Sequence, residues 1–204
     1  MAVDEMAVEA RYSGLPEMPR RPVFDANSHK TAAEWAAAEL KKDVTGCNMV
    51  VAHMGTEVSV GARERGRVID VNNALDGEGP MSTERSGSLP LGALIDMCFS
   101  GSHTMSEIME KINGSGGLVA HLGTKSLREV EARIASGDAH ASVVFEAMAL
   151  QIGKEIGRCA AVLKGEVDAI VLTGELAESD RLCERIAAMV SFIAPTMRYP
   201  ERRG

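Results

Sequence analysis

Aromatic side chains make up only 3% of the chain, so the core must be aliphatic, with Met and Ala filling the gaps. Apolar runs are short. None reaches the roughly 18 residues that span a bilayer, and the opening MAVDEMAVEA is acidic, unlike a signal peptide. The expected location is therefore cytoplasmic, with no membrane partner. Blocks of Lys or Arg are absent, and the formal charge of −7 argues against a nucleic-acid partner or an anionic-membrane surface. A local anion pocket is still allowed. Cys47, Cys98, Cys159 and Cys183 are irregularly spaced and include no C-x-x-C pair, which excludes a zinc site or a disulfide framework. Buried free thiols are expected, and no residue is assigned to a metal.

What remains is ordinary for a globular protein. With 204 residues, 45% hydrophobic and 25% charged, the chain suits one domain, or one with an appendage. RYSGLPEMPRRPVF carries three prolines and reads as an extended connector. Ser28 can cap a following helix through TAAEWAAAELKK, with Trp35 as its packing anchor and Lys41 and Lys42 at its negative end. NMVVAHM is a short apolar β run, and VSVGA and RVIDVN, separated by the polar RERG, form a hairpin. Two short helices follow, LGALIDMCF and MSEIMEKIN, the second opened by a capping box of Thr104 and Glu107 and closed by GSGG. Ser126 and Glu129 form another capping box for LREVEARIASG, which ends at Gly137. The longest helix runs from about Ala139 to Lys164, stopped by Gly165, and carries an i, i+4 stripe of Val144, Met148, Ile152, Ile156 and Ala160. VDAIVLTG is the most buried strand, a helix through RLCERIAAMV follows Gly174, and FIAPTMRYP supplies a last strand. This order indicates an α/β fold, a layered mixed sheet with helices.

Two of these strands, VVAHMG and IVLTG, end in glycine turns. They can converge on one ligand, because α/β sheets bind at the carboxyl ends of their strands, and such turns favour anions.

The stretch VIDVNNALDGEGPMSTERSGSLPLG resembles the butyrate kinases, within the acetate and butyrate kinase family of the acetate kinase, sugar kinase, heat-shock chaperone and actin superfamily. The resemblance begins at RYSGLP and continues through GSGGLVAHLGT, LREVEARI, AAVLKGEVDAIVLTG and SFIAP, so it covers almost the whole chain. It implies a two-lobed kinase that transfers phosphate between ATP and a short-chain carboxylic acid such as butanoate, with ATP/ADP and Mg²⁺ as cofactors. Both lobes are ribonuclease-H-like mixed sheets with flanking helices. This chain resembles the second lobe of such an acetokinase-type kinase. On that resemblance, residues 1–46 are a connector and crossover helix from the first lobe, and residues 47–204 are a nucleotide-binding lobe whose C-terminal end is incomplete. No Asn-Pro-Gly-Ser phosphate turn of a first lobe lies near Met1. A homodimer or a complementing first-lobe chain is the implied protein partner.

The resemblance also implies site residues. His53, Gly55 and Ser59 fall on the phosphate loop, and Arg85 on the arginine that stabilises the transferring phosphoryl group, a role suited to a planar guanidinium. The alternative for Arg85 is a surface ion pair with Glu84 or Asp76. Gly123, Arg128 and Gly174 fall on segments lining the adenosine side. Asp70 and Asp76 stabilise a turn or meet a metal, whereas His103, His121 and His140 are expected to be structural or exposed.

Four departures from the family pattern stand out. Thr56 and Glu57 replace two phosphate-loop glycines, which restricts positive φ. A carboxylate about 4 Å from phosphate at an effective dielectric near 20 costs roughly 4 kcal/mol. Glu175 replaces a second glycine in the adenosine segment. Asp25 stands where the family has a histidine contacting the phosphoryl group, a loss worth about 3 kcal/mol of barrier, with His29 a substitute if the helix begins early. Ser126 stands where an acid precedes the arginine.

Overall fold

The computed structural model describes residues 6–200. Its centre is a five-stranded sheet in the order β3-β2-β1-β4-β5, with β1 at Asn48–Met54, β2 at Val58–Glu64, β3 at Arg67–Val71, β4 at Ala169–Gly174 and β5 at Thr196–Pro200. The first three strands form an antiparallel meander, and β4 and β5 then run parallel to β1. This is the mixed sheet with flanking helices that the sequence indicates. Every residue of β4 and all but the first of β1 are buried, because both strands lie inside the sheet and are covered on both faces. The β2–β3 hairpin closes through Arg65 and Gly66, both at positive φ (49° and 80°), the backbone that lets a two-residue turn follow the strand twist.

Alternate β1 side chains go to opposite faces. Val50, Ala52 and Met54 join one core with Val144, Met148, Ile152 and Ile156 of α6 (Ala139–Val162). The expected stripe is thus the packing face, and Ala160 is buried with it. Met49 and Val51 meet Ala32, Ala33, Ala36 and Ala37 of α1 (Ala26–Glu39) on the other face. These alanines are the packing contact of α1, so Trp35 is not the anchor. It lies on the outward side, 49% exposed, its ring 5.8 Å from that of Tyr199.

Helix α1 also begins earlier than its composition suggests. Asp25, not Ser28, is the N-cap, accepting from the N–H groups of Asn27 and Ser28. The early start carries His29 into the interior. Its Nε2 lies 2.9 Å from Ser59 Oγ, Phe24 meets it edge-on at 4.9 Å, and a Cβ on Gly61 would come within 3.3 Å of the ring. Nδ1 is buried without a partner, which puts the proton on Nε2, donating to Ser59, because a bare lone pair is less costly to bury than an N–H.

The remaining helices are α2 (Leu91–Phe99), α3 (Met105–Asn113), α4 (Gly117–Leu122), α5 (Leu127–Ala135) and α7 (Asp180–Val190). The Thr104–Glu107 capping box is present in full. At α5, Ser126 caps the N–H of Glu129, but the Glu129 carboxylate takes the Thr124 hydroxyl instead. Helix α2 buries none of its residues, and Leu91, Ile95 and Phe99 are all exposed. Three of the cysteines are buried thiols as expected, but Cys98, on α2, is exposed. Among the described residues no helix is long and apolar enough to cross a membrane.

Burial pushes the pKa of His29 from 6.5 down to about 3. The unfolded chain therefore binds a proton that the folded chain refuses, and stability falls as pH drops through this window, by up to about 1.4 kcal/mol per pH unit. Thermal melts from pH 6.5 to about 4.5 should show a steep loss of Tm in the wild type and a shallower one in His29→Gln. Parallel slopes would remove His29 as the cause.

Candidate functional site

Strands β1 and β4 lie side by side in parallel and end together, with His53 opposite Thr173. Beyond them the chains touch backbone to backbone. Gly174 has φ 90° and ψ 178°, a region essentially reserved for glycine, and a Cβ there would lie 2.5 Å from the Met54 carbonyl oxygen. The two glycine bends thus converge, as the sequence suggests.

The bend after β1 is a turn in which the Gly55 N–H donates to the Glu57 carbonyl at 2.9 Å. None of Gly55, Thr56 and Glu57 has positive φ, so replacing two glycines by Thr56 and Glu57 costs this turn no backbone freedom. The Thr56 carbonyl accepts the Ser82 hydroxyl. Among the described residues the N–H groups of Thr56 and Glu57 have no acceptor, which leaves two donors at the carboxyl end of β1.

These bends form one end of a cavity of about 730 Å³. Gly55 and Thr56 line it from β1, Glu175 and Leu176 from β4, Thr83 and Glu84 from a facing loop, and Ser126 and Arg128 from the start of α5. Its charged lining comprises Glu84, Glu131, Glu175 and Glu178 against Lys125 and Arg128. Glu84 pairs with Lys125 at 3.4 Å, and Glu131 accepts the Ser179 hydroxyl. Glu57 is not part of the lining, so the like-charge conflict expected there does not face the cavity, whereas the one expected at Glu175 does.

Of the residues singled out from the sequence, Gly55 and Arg128 line the cavity together, and Gly174 sets the approach of its two walls. His53 is 7% exposed at the end of β1, its Nε2 3.5 Å from where a Gly55 side chain would begin. Ser59 pairs with His53 in register but is wholly buried, bonded to His29 rather than facing the cavity. Gly123, in the left-handed region at φ 72°, ends α4 and is not among the cavity's walls. Arg85 is half-buried and also outside the lining, although Thr83 and Glu84 of its loop belong to it. Its Nε is buried with no hydrogen-bond partner. The ion pair considered for it is not made, since Glu84 holds Lys125 and Asp76 accepts from Asn73 Nδ2 at 3.0 Å.

Within DVNNALDG, Asp76 accepts from Asn73 Nδ2 across the turn. Asp70, in β3, and Glu78, just past the stretch, both bind Arg20, at 2.9 and 2.7 Å, which ties the proline-rich connector to β3. Buried Asn72 accepts from Val60 N–H and donates to the carbonyls of Val58 and Glu78. His121 and His140 are exposed and His103 is partly exposed, in line with expectation. The Asp25 carboxylate is committed to capping α1, and the Ser28 N–H holds its pKa below the usual range. His29 does begin near it, but points into the sheet. Arg20, Asn72 and Ser82 escaped the sequence reading. For Ser82 a signal existed, a Ser three residues before Arg85 in a polar turn, where a hydroxyl commonly accepts backbone N–H groups.

The pattern that defines the acetokinase family matches residues 14–194. Butyrate kinase 2 of Clostridium acetobutylicum is 50% identical over 200 residues, 98% of this chain and 56% of that protein. A probable butyrate kinase 2 of Caldanaerobacter subterraneus is 54% identical with the same coverage, 98% and 56%. The crystal structure of Porphyromonas gingivalis acetate kinase, 26% identical, superposes with a TM-score of 0.83 over 92% of this chain and 49% of that one. This chain thus spans little more than half the length of the curated relatives it matches, and by sequence and fold it belongs to the acetokinase family.

Proposed function

We propose that this chain supplies the nucleotide-binding lobe of a butyrate kinase-like acyl kinase, which transfers phosphate between ATP and butanoate to give butanoyl phosphate and ADP. The observation that carries the reading is the cavity at the joined ends of β1 and β4, with two unpaired N–H groups beside it and Arg128 in its wall. Its volume suits a nucleotide, since ligand sites typically measure about 300–1,000 Å³. Identity of 50% to a butyrate kinase supports the choice of butanoate.

In this reading the Gly55–Glu57 turn receives phosphate through backbone donors, and Arg128 with the Gly174–Glu175 bend holds the adenosine side. Arg85, with its unpaired Nε, is the charge stabiliser for the transferring group, turning into the cleft when the first lobe closes. His53 packs beneath Gly55 and shapes the turn. Mg²⁺ bound with the nucleotide phosphates would neutralise their charge. That suits a cavity with more acids than bases. The working location is the cytoplasm, and a first lobe supplies the acid-binding wall.

One observation favours a second reading, a nucleotide-binding chain without turnover: Asp25, which by resemblance stands at the family's histidine position, is spent on capping α1. Two measurements separate the readings. Calorimetry with ADP and Mg²⁺ should give saturable binding, weakened about tenfold by Arg128→Ala (about 1.4 kcal/mol) and strengthened a few-fold by Glu175→Gln, as a screened like charge is removed. A coupled assay with butanoate, ATP and Mg²⁺ should show turnover when a first-lobe chain is supplied. Binding without turnover in that mixture favours the second reading, and absence of both overturns the nucleotide assignment.

A further inference from the structure

We propose that Ser82 is a positioning residue that locks the phosphate turn and the Arg85 loop into one unit, an inference that rests on the nucleotide reading above. Ser82 is wholly buried. Its hydroxyl donates to the Thr56 carbonyl and accepts from the N–H groups of Glu84 and Arg85, the latter at 3.0 Å. Its own N–H donates to the Arg85 carbonyl at 3.2 Å. The side chain therefore closes the turn that carries the guanidinium while holding the turn that carries the free donors. Among the described residues it makes the one hydrogen bond between the turn 55–57 and the loop 82–87.

The peptide geometry makes that bond directional. In a trans peptide the C=O and the following N–H lie in one plane with opposed directions, so fixing the Thr56 carbonyl on Ser82 also fixes the direction of the Glu57 N–H. The loop itself is fixed from behind by α4: Gly116, Leu118 and Val119 donate to the carbonyls of Glu84, Ser82 and Thr83 at 3.0–3.1 Å. Gly117, at φ 56°, permits this approach, because a Cβ there would collide with the Ser82 carbonyl. Loss of the Ser82 hydroxyl leaves the loop anchored on α4 and frees the phosphate turn from it. The consequence is selective. The phosphate end of a nucleotide feels the change, and the adenosine end, on α5 and β4, does not.

The test compares adenosine with ADP·Mg²⁺ by calorimetry on the full chain, for wild type, Ser82→Ala, Ser82→Thr and Ser82→Cys, with thermal melts alongside. Ser82→Ala should lose about tenfold in ADP affinity while adenosine affinity stays within about twofold, and Ser82→Thr, which keeps the hydroxyl, should recover most of the loss. If Ser82→Ala does not fold, Ser82→Cys, of similar size but a weak donor, must show the same selective loss. Equal affinity for ADP in wild type and variant, or a parallel loss for both ligands, overturns the inference alone. A wild type that binds adenosine and ADP not at all overturns the nucleotide reading and this inference with it.

Discussion

The contact between Gly174 and the Met54 carbonyl is the constraint on which the rest of the site depends. Two parallel strands, β1 and β4, must end at the same level for their bends to face one cavity, and any side chain at position 174 would force them apart. The register that delivers them there, Val50 against Ile170 through His53 against Thr173, is fixed by burial on both faces. A one-residue slip would send the residues now packed on α6 to the α1 side. Packing far from the cavity thereby sets where the unpaired N–H groups of the 55–57 turn lie.

Against that rigid frame the charges are arranged sparingly. A cavity built for bare polyphosphate would carry an excess of cations, but here carboxylates outnumber bases and some of them are tied to neighbours: Glu84 to Lys125, Glu131 to Ser179. Backbone N–H groups attract phosphate without adding net charge, so a turn with two unpaired donors serves an acidic lobe better than a lysine cluster would. The replacement of glycines by Thr56 and Glu57 looks damaging in the sequence because glycine loops are read as loops of positive φ. This turn has none, and the Glu57 side chain is not among the cavity's walls.

The strands and helices were largely legible because their signals are local. The RERG turn, the Thr104–Glu107 box and the α6 stripe each follow from spacing within a few residues. Errors arose where tertiary contacts decide. Trp35 outranks four alanines in apolar area, yet a helix lying close on a sheet needs small residues at the contact, and the alanines take it. Ser28 is a sound cap by type, but Asp25 offers a carboxylate to two N–H groups and wins. For Ser59, which the resemblance puts on the phosphate loop, strand pairing leaves the hydroxyl on His29, outside the cavity's walls. Arg20 and Asn72 bind partners remote in sequence, some reached across 58 and 14 positions, and no local pattern announces that.

Arg85 shows how far one lobe can carry the chemistry. Its loop is held in place by Ser82 and by α4, so the backbone beneath the guanidinium is determined within this chain. The side chain is not: its Nε is buried without an acceptor, and the nearby acids that could have captured it are bound elsewhere. A buried guanidinium donor normally finds a partner, since leaving it bare costs free energy. Without that partner, the contacts within the described residues do not fix the fork's direction, which suits the anion-binding role proposed for it. Phosphoryl transfer depends on positioning more than on any reactive side chain. On the proposed reading, the turn and the cavity are preformed by the sheet, and the arginine is completed by the surface that closes over it.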